Sequence, residues 1–162
     1  MDPLLDLPGA DEFSELLARE ELRRGRTRES LAVAVLDLDG LGAVNKIHGA
    51  AVGTHLLRTT AEVLSQTIRG VDEIARTGPD EFSVLLHATD AENASHWEER
   101  FEDMLDACGR NLPAGPLTCS IGIADSAEAP TLMEVAVRAR RRMEVIQTVR
   151  KLRRARESGS SG

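Results

Sequence analysis

The sequence predicts an α+β domain of the split βαβ kind, with a central, mostly antiparallel sheet flanked by helices. Two observations carry that expectation. Apolar runs of strand length at residues 31–36, 74–76, 82–86 and 117–124 alternate with amphipathic helical stretches in the order strand, helix, strand, strand, helix, strand. The middle two runs are separated by a spacing that admits only a tight hairpin. A length of 162 residues suits one domain that buries roughly two-thirds of its unfolded surface, and 41% hydrophobic with 29% charged residues is an ordinary globular mixture. A single domain is expected over residues 1–156, with 157–162, rich in Ser and Gly, as a disordered linker or tail.

The chain opens with a turn-rich segment at residues 2–8. A helix is then expected over 11–24, with Phe13, Leu16, Leu17 and Leu22 on its apolar stripe. The run at 31–36 is continuously apolar, which predicts a central strand covered on both faces. It ends in Asp37-Leu38-Asp39-Gly40, where alternation sends both carboxylates to one side and glycine lets the chain turn away. Two carboxylates at the exit of a buried strand need donors or a cation, and a hard divalent ion such as Mg²⁺ suits oxygen ligands; an ordinary capping or turn role is the other reading. A short helix closed by Gly49 and a longer one over 52–69 follow, then the hairpin, whose turn lifts Asp80 and Glu81 to its tip. A helix over 90–110 buries Ala94, Trp97, Phe101, Met104, Leu105 and Cys108. After the strand at 117–124, Thr131 caps a last helix that runs to about residue 154 with Leu132, Val135, Ala136, Ala139, Met143, Ile146 and Val149 inward.

Composition excludes several function classes. Aromatics make up 2% of the chain, with no Tyr, so stacking on nucleobases is nearly unavailable and a nucleic-acid partner is not expected. Cys108 and Cys119 are too few for a disulfide framework and lack metal-ligand spacing, as do the four histidines, so a reduced, cytoplasmic setting is expected. The N-terminus lacks the features of a signal peptide, and no run has the length of a membrane span. The net charge of −7 is uneven: residues 131–162 hold nine basic and three acidic side chains, a balance of +6 against −13 for the rest. That basic helix is either a solvated face or a surface for an anionic partner.

The run Gly78-Pro79-Asp80-Glu81-Phe82 resembles the signature hairpin of the GGDEF family of diguanylate cyclases, with proline in place of the second glycine. The opening is similar to the family's Asp-x-Leu-Thr-Gly-Leu-x-Asn-Arg segment, with Leu5, Asp6, Gly9 and Ala10 replacing its polar positions. Residues 37–54 resemble its Asp-x-Asp-x-Phe-Lys-x-x-Asn-Asp-x-x-Gly-x-x-x-Gly-Asp region, and Ser120 to Ala124 its Ser-x-Gly-Ile-Ala strand. The resemblance implies a nucleotidyl-cyclase-like, ferredoxin-like fold with a five-stranded sheet. It further implies a dimer that joins two GTP molecules into cyclic di-GMP with Mg²⁺. Carried over by position, Asp80 and Glu81 are the catalytic candidates. Asp37, the Leu38 carbonyl and Asp80 are the metal ligands, and Asn45 and Thr54 stand at the guanine-reading positions.

Several positions depart from the pattern. Gly42 replaces the triphosphate Lys, and Thr54 a guanine-reading Asp; losing such a hydrogen-bonded group costs about 1–3 kcal/mol. On the last helix Val137, Arg141, Glu144 and Thr148 stand where the family has Asp, Tyr, Lys and Arg, and Glu144 would repel phosphate. Pro79 has φ near −65° and no N–H, so a type I′ turn is not open to the hairpin. Arg69-Gly70-Val71-Asp72, nine residues before Gly78, retains the Arg-x-x-Asp of the family's inhibitory product site; an Arg fork binds phosphate or guanine, the Asp accepts from guanine, and Arg76 could add a phosphate contact. A helix-ending Arg with a capping Asp is the alternative reading. Three functions therefore stand open. One is a degenerate domain with weak or no turnover that binds cyclic di-GMP through Arg69 and Asp72, signalling through a homodimer or other domains of a larger protein. The others are an active diguanylate cyclase and a protein-interaction domain with no nucleotide.

Overall fold

The computed structural model describes residues 1–160. Among these the elements run α1 (Ala10–Arg24), β1 (Leu31–Leu38), α2 (Leu41–His48), α3 (Ala50–Thr67), β2 (Glu73–Arg76), β3 (Glu81–His87), α4 (Ala91–Gly109), β4 (Cys119–Asp125) and α5 (Leu132–Ser160). The strands form one sheet in the order β2-β3-β1-β4, every neighbouring pair antiparallel. The expected α+β architecture is present, but with four strands among the described residues rather than five. The sequence holds only four strand-length apolar runs, and the stretch before β4 is broken by Pro113, Gly115 and Pro116 into successive turns.

β1 is the central strand because its apolar run is unbroken: Leu31 to Leu36 are each at most 2% exposed. Ala32, Ala34 and Leu36 face the layer of α3 and α4, against Leu64, Phe82 and Phe101. Val33 and Val35 face the layer of α1 and α5, against Leu17, Val135 and Met143. Within α4, Trp97 and Phe101 stack with ring centroids 5.6 Å apart, and Asp90 caps the helix by accepting from the Asn93 N–H at 2.9 Å. α5 crosses β4 at Gly122, where a β-carbon would lie 2.0 Å from the Ala139 carbonyl oxygen and 2.4 Å from the Met143 nitrogen. Only glycine lets the helix approach so closely.

Four expectations about side chains and ends are corrected. Val149, expected inward, is 42% exposed, because α5 outruns the sheet and the half-buried Arg150 takes the inward position one residue on. Leu22 near the end of α1 is exposed because Glu21, which accepts from the Leu132 N–H at 2.8 Å, and the half-buried Arg24 take the inward positions there. Cys108, expected in the core, is exposed, while its neighbour Gly109 is buried against Leu117. Residues 157–160, expected as a linker, continue α5; the Lys, Arg and Ala preceding them are strong helix formers, and Ser158 donates to the Arg154 carbonyl at 3.0 Å. Residues 161–162 of that expected tail lie outside the described residues.

Candidate functional site

Two groups of the singled-out residues sit at opposite ends of β3. At its start Glu81 pairs with Asp37 of β1, and Asp37 in turn pairs with Ser120 of β4. At its end, about 20 Å away by strand rise, His87 meets Asp72.

At the first end, the two aspartates that leave β1 differ in what surrounds them. Asp39 has a nearly buried side chain that accepts from Ser120 Oγ at 2.6 Å, Thr118 Oγ1 at 3.0 Å and Arg150 Nη1 at 2.7 Å, with Arg154 at 3.9 Å. It is an anchor for α5. Asp37 is held differently: burial first, then the negative charges of Asp80, Glu81 and Asp39, push its carboxyl up to about 6, with Lys151 pulling the other way. A carboxylate held among like charges is what a divalent cation relieves.

The hairpin turn accommodates Pro79 as the sequence requires. The Glu81 N–H reaches the Gly78 carbonyl at 3.4 Å, which places Pro79 and Asp80 at the two central positions of a β-turn. None of residues 77–81 has positive φ, so this turn is of the type I kind and not I′. Asp80 is half-buried and its carbonyl accepts from the Leu38 N–H at 3.2 Å, so the turn is tied to the exit of β1. Glu81 is taken up: Arg140 holds it in a two-pronged pair at 3.1 and 2.8 Å, and Thr77 Oγ1 donates to it as well. The hydrogen bond to Glu81 is also the main reason the Arg140 guanidinium titrates above its ordinary value. Among the described residues no three His, Cys, Asp or Glu side chains converge as a metal-binding group. Asp37, the Leu38 carbonyl and Asp80 fit a Mg²⁺ that brings further oxygen ligands with it, such as phosphates.

Asn45 on α2 lies exposed with its amide against α3; a β-carbon at Gly53 would fall 1.8 Å from its Oδ1. Thr54, next along α3, is half-buried. Asn45 thus packs into the Gly53 gap, one residue along α3 from Thr54. Glu144 on α5 is exposed.

At the other end of β3, Asp72 is 2% exposed at its side chain and accepts from the Arg69 N–H at 3.0 Å and the His87 N–H at 2.9 Å. It closes the end of α3 onto the sheet. Arg69 rests its Nε on Asp72 at 3.4 Å, donates to the His87 carbonyl and leaves its side chain 57% exposed. It opens onto a hollow of 390 Å³ lined by Thr89, Asn93, His96, Trp97 and Arg100. Arg76 is not part of this group. It sits at the hairpin end, where it donates to Asp2 at 3.1 Å and to the Pro79 carbonyl at 2.6 Å.

This fold and this hairpin decide the family. The pattern described as "Diguanylate cyclase, GGDEF domain" matches residues 1–151. The chain belongs to the GGDEF family. It is 40% identical over 124 residues to diguanylate cyclase DgcP of Pseudomonas aeruginosa, an alignment that covers 75% of this chain and 18% of that protein. It is 34% identical over 99 residues to the bifunctional diguanylate cyclase/cyclic di-GMP phosphodiesterase MucR of the same organism, covering 61% and 14%. The chain thus spans less than a fifth of these curated relatives. Among solved structures it resembles diguanylate cyclase SiaD from P. aeruginosa, in complex with its activator SiaC, with a TM-score of 0.82, 27% identity, and 91% of this chain and 58% of that one covered. The GGDEF domain of DgcB from Caulobacter crescentus, in complex with c-di-GMP, shares the fold at a TM-score of 0.82 and 21% identity, covering 90% and 88%. The chain is a GGDEF domain of diguanylate cyclase type, of the kind used in cyclic di-GMP signalling.

Sequence reasoning missed the residues that occupy the carboxylates. Arg140 and Arg150 lie 59 and 111 positions from the acids they hold. Their one local signal is a basic side chain flanking the inward stripe of α5. Arg100 and His96, on α4, join Arg69 only because α4 packs beside the end of α3.

Proposed function

We propose that this domain acts in cyclic di-GMP signalling as a regulatory module with weak or no cyclase turnover, binding cyclic di-GMP at the Arg69 face. The observation that carries the reading is the contrast between the two ends of β3. At the Asp37 end Arg140 and Arg150 are already spent on Glu81 and Asp39, and the Asp37 carboxyl stays under net negative pressure although Lys151 acts on it, so less positive charge is free there for a triphosphate. At the Arg69 end, two arginines, Arg69 and Arg100, open onto one hollow whose single carboxylate, Asp72, is already hydrogen-bonded. Planar guanidinium forks suit the two phosphates and guanine edges of a cyclic dinucleotide.

The family's dimer supports transmission of occupancy to a second copy or to further domains. Calorimetric titration with cyclic di-GMP tests the reading. Binding tighter than about 100 µM, or about 5.5 kcal/mol, that Arg69→Ala abolishes is expected; no binding in that range overturns it.

A second reading, an active cyclase, is favoured by one observation: Asp37, the Leu38 backbone and Asp80 stay together at the end of β1. On this reading Mg²⁺ and two GTP would use Asp37, Asp80 and Glu81. Cyclic di-GMP formed from GTP and Mg²⁺, and lost in Asp80→Ala, would establish it over the first.

A further inference from the structure

The outer side of α5 and the edge of β4 form a surface that neither reading uses. A shallow groove of 440 Å³ runs between them, lined by Ile121, Ile123, Arg141, Arg142, Val145 and Ile146. Along the crest of α5 beside it, Val145, Val149 and Leu152 are 61%, 42% and 61% exposed. Their spacing of four and three residues makes one stripe on the side of the helix away from Val135, Ala139 and Met143. At about 100° per residue, Arg138, Arg141 and Arg156 fall within about 45° of that stripe, and Glu144 lies about a quarter turn away. Arg140 is paired with Glu81 and Arg142 with Glu128, but among the described residues Arg138 and Arg141 hold no ion pair.

The edge of β4 decides how this surface can be used. Ser126 and Thr118 bond β1, so by alternation the odd-numbered carbonyls of β4 point outward. Two of these are capped from α5: Arg150 Nη1 donates to Cys119 O at 2.5 Å and Arg142 Nη1 to Ile123 O at 2.5 Å. A partner strand adding to this edge would have to displace both. The groove therefore accepts side chains, not a backbone. A second copy of the chain does not match it. α5 against α5 sets Arg138, Arg141 and Arg156 against themselves, the acidic α4 exposes no large apolar side chain, and Leu22 on α1 and Ile47 on α2 are single exposed apolar side chains that make no stripe to meet this one. A flat lipid surface reaches the crest but not the isoleucines recessed beside the strand.

We propose that the α5/β4 groove docks an amphipathic helix of a partner protein, with aliphatic residues along one face and Asp or Glu flanking them. Apolar knobs from that helix fill the groove between Ile123 and Val145, and its flanking carboxylates meet Arg138, Arg141 and Arg156.

The test uses the whole chain and a fluorescein-labelled synthetic helix with leucines spaced four and three residues apart and flanking glutamates. A lysine-flanked twin of that peptide and phosphatidylglycerol vesicles are measured in parallel. The glutamate peptide is expected to bind and gain helicity by circular dichroism. Its affinity should fall about tenfold in Val149→Asp and again in the Arg138→Glu, Arg141→Glu pair, whose exposed positions leave the protein's own melting curve unchanged. Equal binding of the lysine peptide, affinity unmoved by both variants, no binding, or binding to vesicles but not to the peptide each overturns the proposal.

Discussion

Asp72 and Arg69 belong to one motif, yet the structure separates what they do, and replacing each by alanine tells the roles apart. Asp72→Ala removes a side chain that is 2% exposed and leaves two backbone donors, the N–H groups of Arg69 and His87, without their acceptor. The His87 group is buried and loses about 1–2 kcal/mol; the Arg69 group, nearer solvent, loses about 0.5–1 kcal/mol. The half-exposed ion pair adds about 0.5 kcal/mol. The sum is about 3 kcal/mol, which for a chain of this size lowers the melting temperature by about 6–12 °C. Arg69→Ala keeps the backbone N–H that Asp72 needs and removes only a guanidinium that is more than half exposed, so its cost stays near 1 kcal/mol. Urea denaturation followed by circular dichroism measures both. If Asp72→Ala lies within about 0.5 kcal/mol of the parent, or Arg69→Ala costs as much as Asp72→Ala, Asp72 does not close α3 onto the sheet as argued. Loss of cyclic di-GMP binding in Arg69→Ala, with stability nearly intact, is then a statement about the ligand and not about folding.

Three further outcomes follow from the same geometry. Asp37 holds its proton more tightly in the fold, at about 6 against an ordinary 3.8, so its contribution to stability is full below pH 3.8 and is lost as pH rises through about 6. That gap corresponds to about 3 kcal/mol, reduced to about 1–2 kcal/mol by partial exposure. Asp37→Asn should flatten this slope in chelator and gain that amount at neutral pH; urea midpoints that keep the parent's pH dependence would contradict it. Gly122→Ala drives a β-carbon into the backbone of α5 and should cost about 3 kcal/mol or more, so a variant as stable as the parent would mean that α5 does not cross β4 so closely. Arg140→Ala frees Glu81 at a cost of about 1 kcal/mol or less and should strengthen the thermal shift given by Mg²⁺. No change in that shift would show that Glu81 does not contribute to cation affinity.

The sheet was legible because its signals are local. The unbroken run from Leu31 to Leu36 has one physical outcome, a strand buried on both faces, and the hairpin spacing left no room for another connection. The fifth strand came from resemblance alone, with no apolar run to supply it. Val149 shows the limit of periodicity. The stripe of α5 continues at helical spacing past the point where the sheet ends, and nothing in the spacing marks that point, so Val149 meets solvent while Arg150 turns back to Asp39.

The site was legible in kind and not in connection. Asp37, Asp80 and Glu81 were each singled out and lie together at one end of the sheet, and Pro79 correctly ruled out a type I′ turn because that is a property of proline's own ring. What the spacing could not hold is which charges are already answered. In the sequence Glu81 read as a catalytic candidate and Asp72 as a guanine acceptor or a helix cap, and in the fold one is clamped by Arg140 and the other by two backbone donors. Arg76 directly follows the core residue Ala75 on β2 yet belongs to Asp2 and the hairpin, not to Arg69. A motif names the chemistry a residue can do, and tertiary pairing decides whether that chemistry is still available. Here Asp37 stays under negative pressure and Arg69 stays more than half exposed beside a hollow, at opposite ends of β3, and the proposed cation and anion roles rest on that contrast.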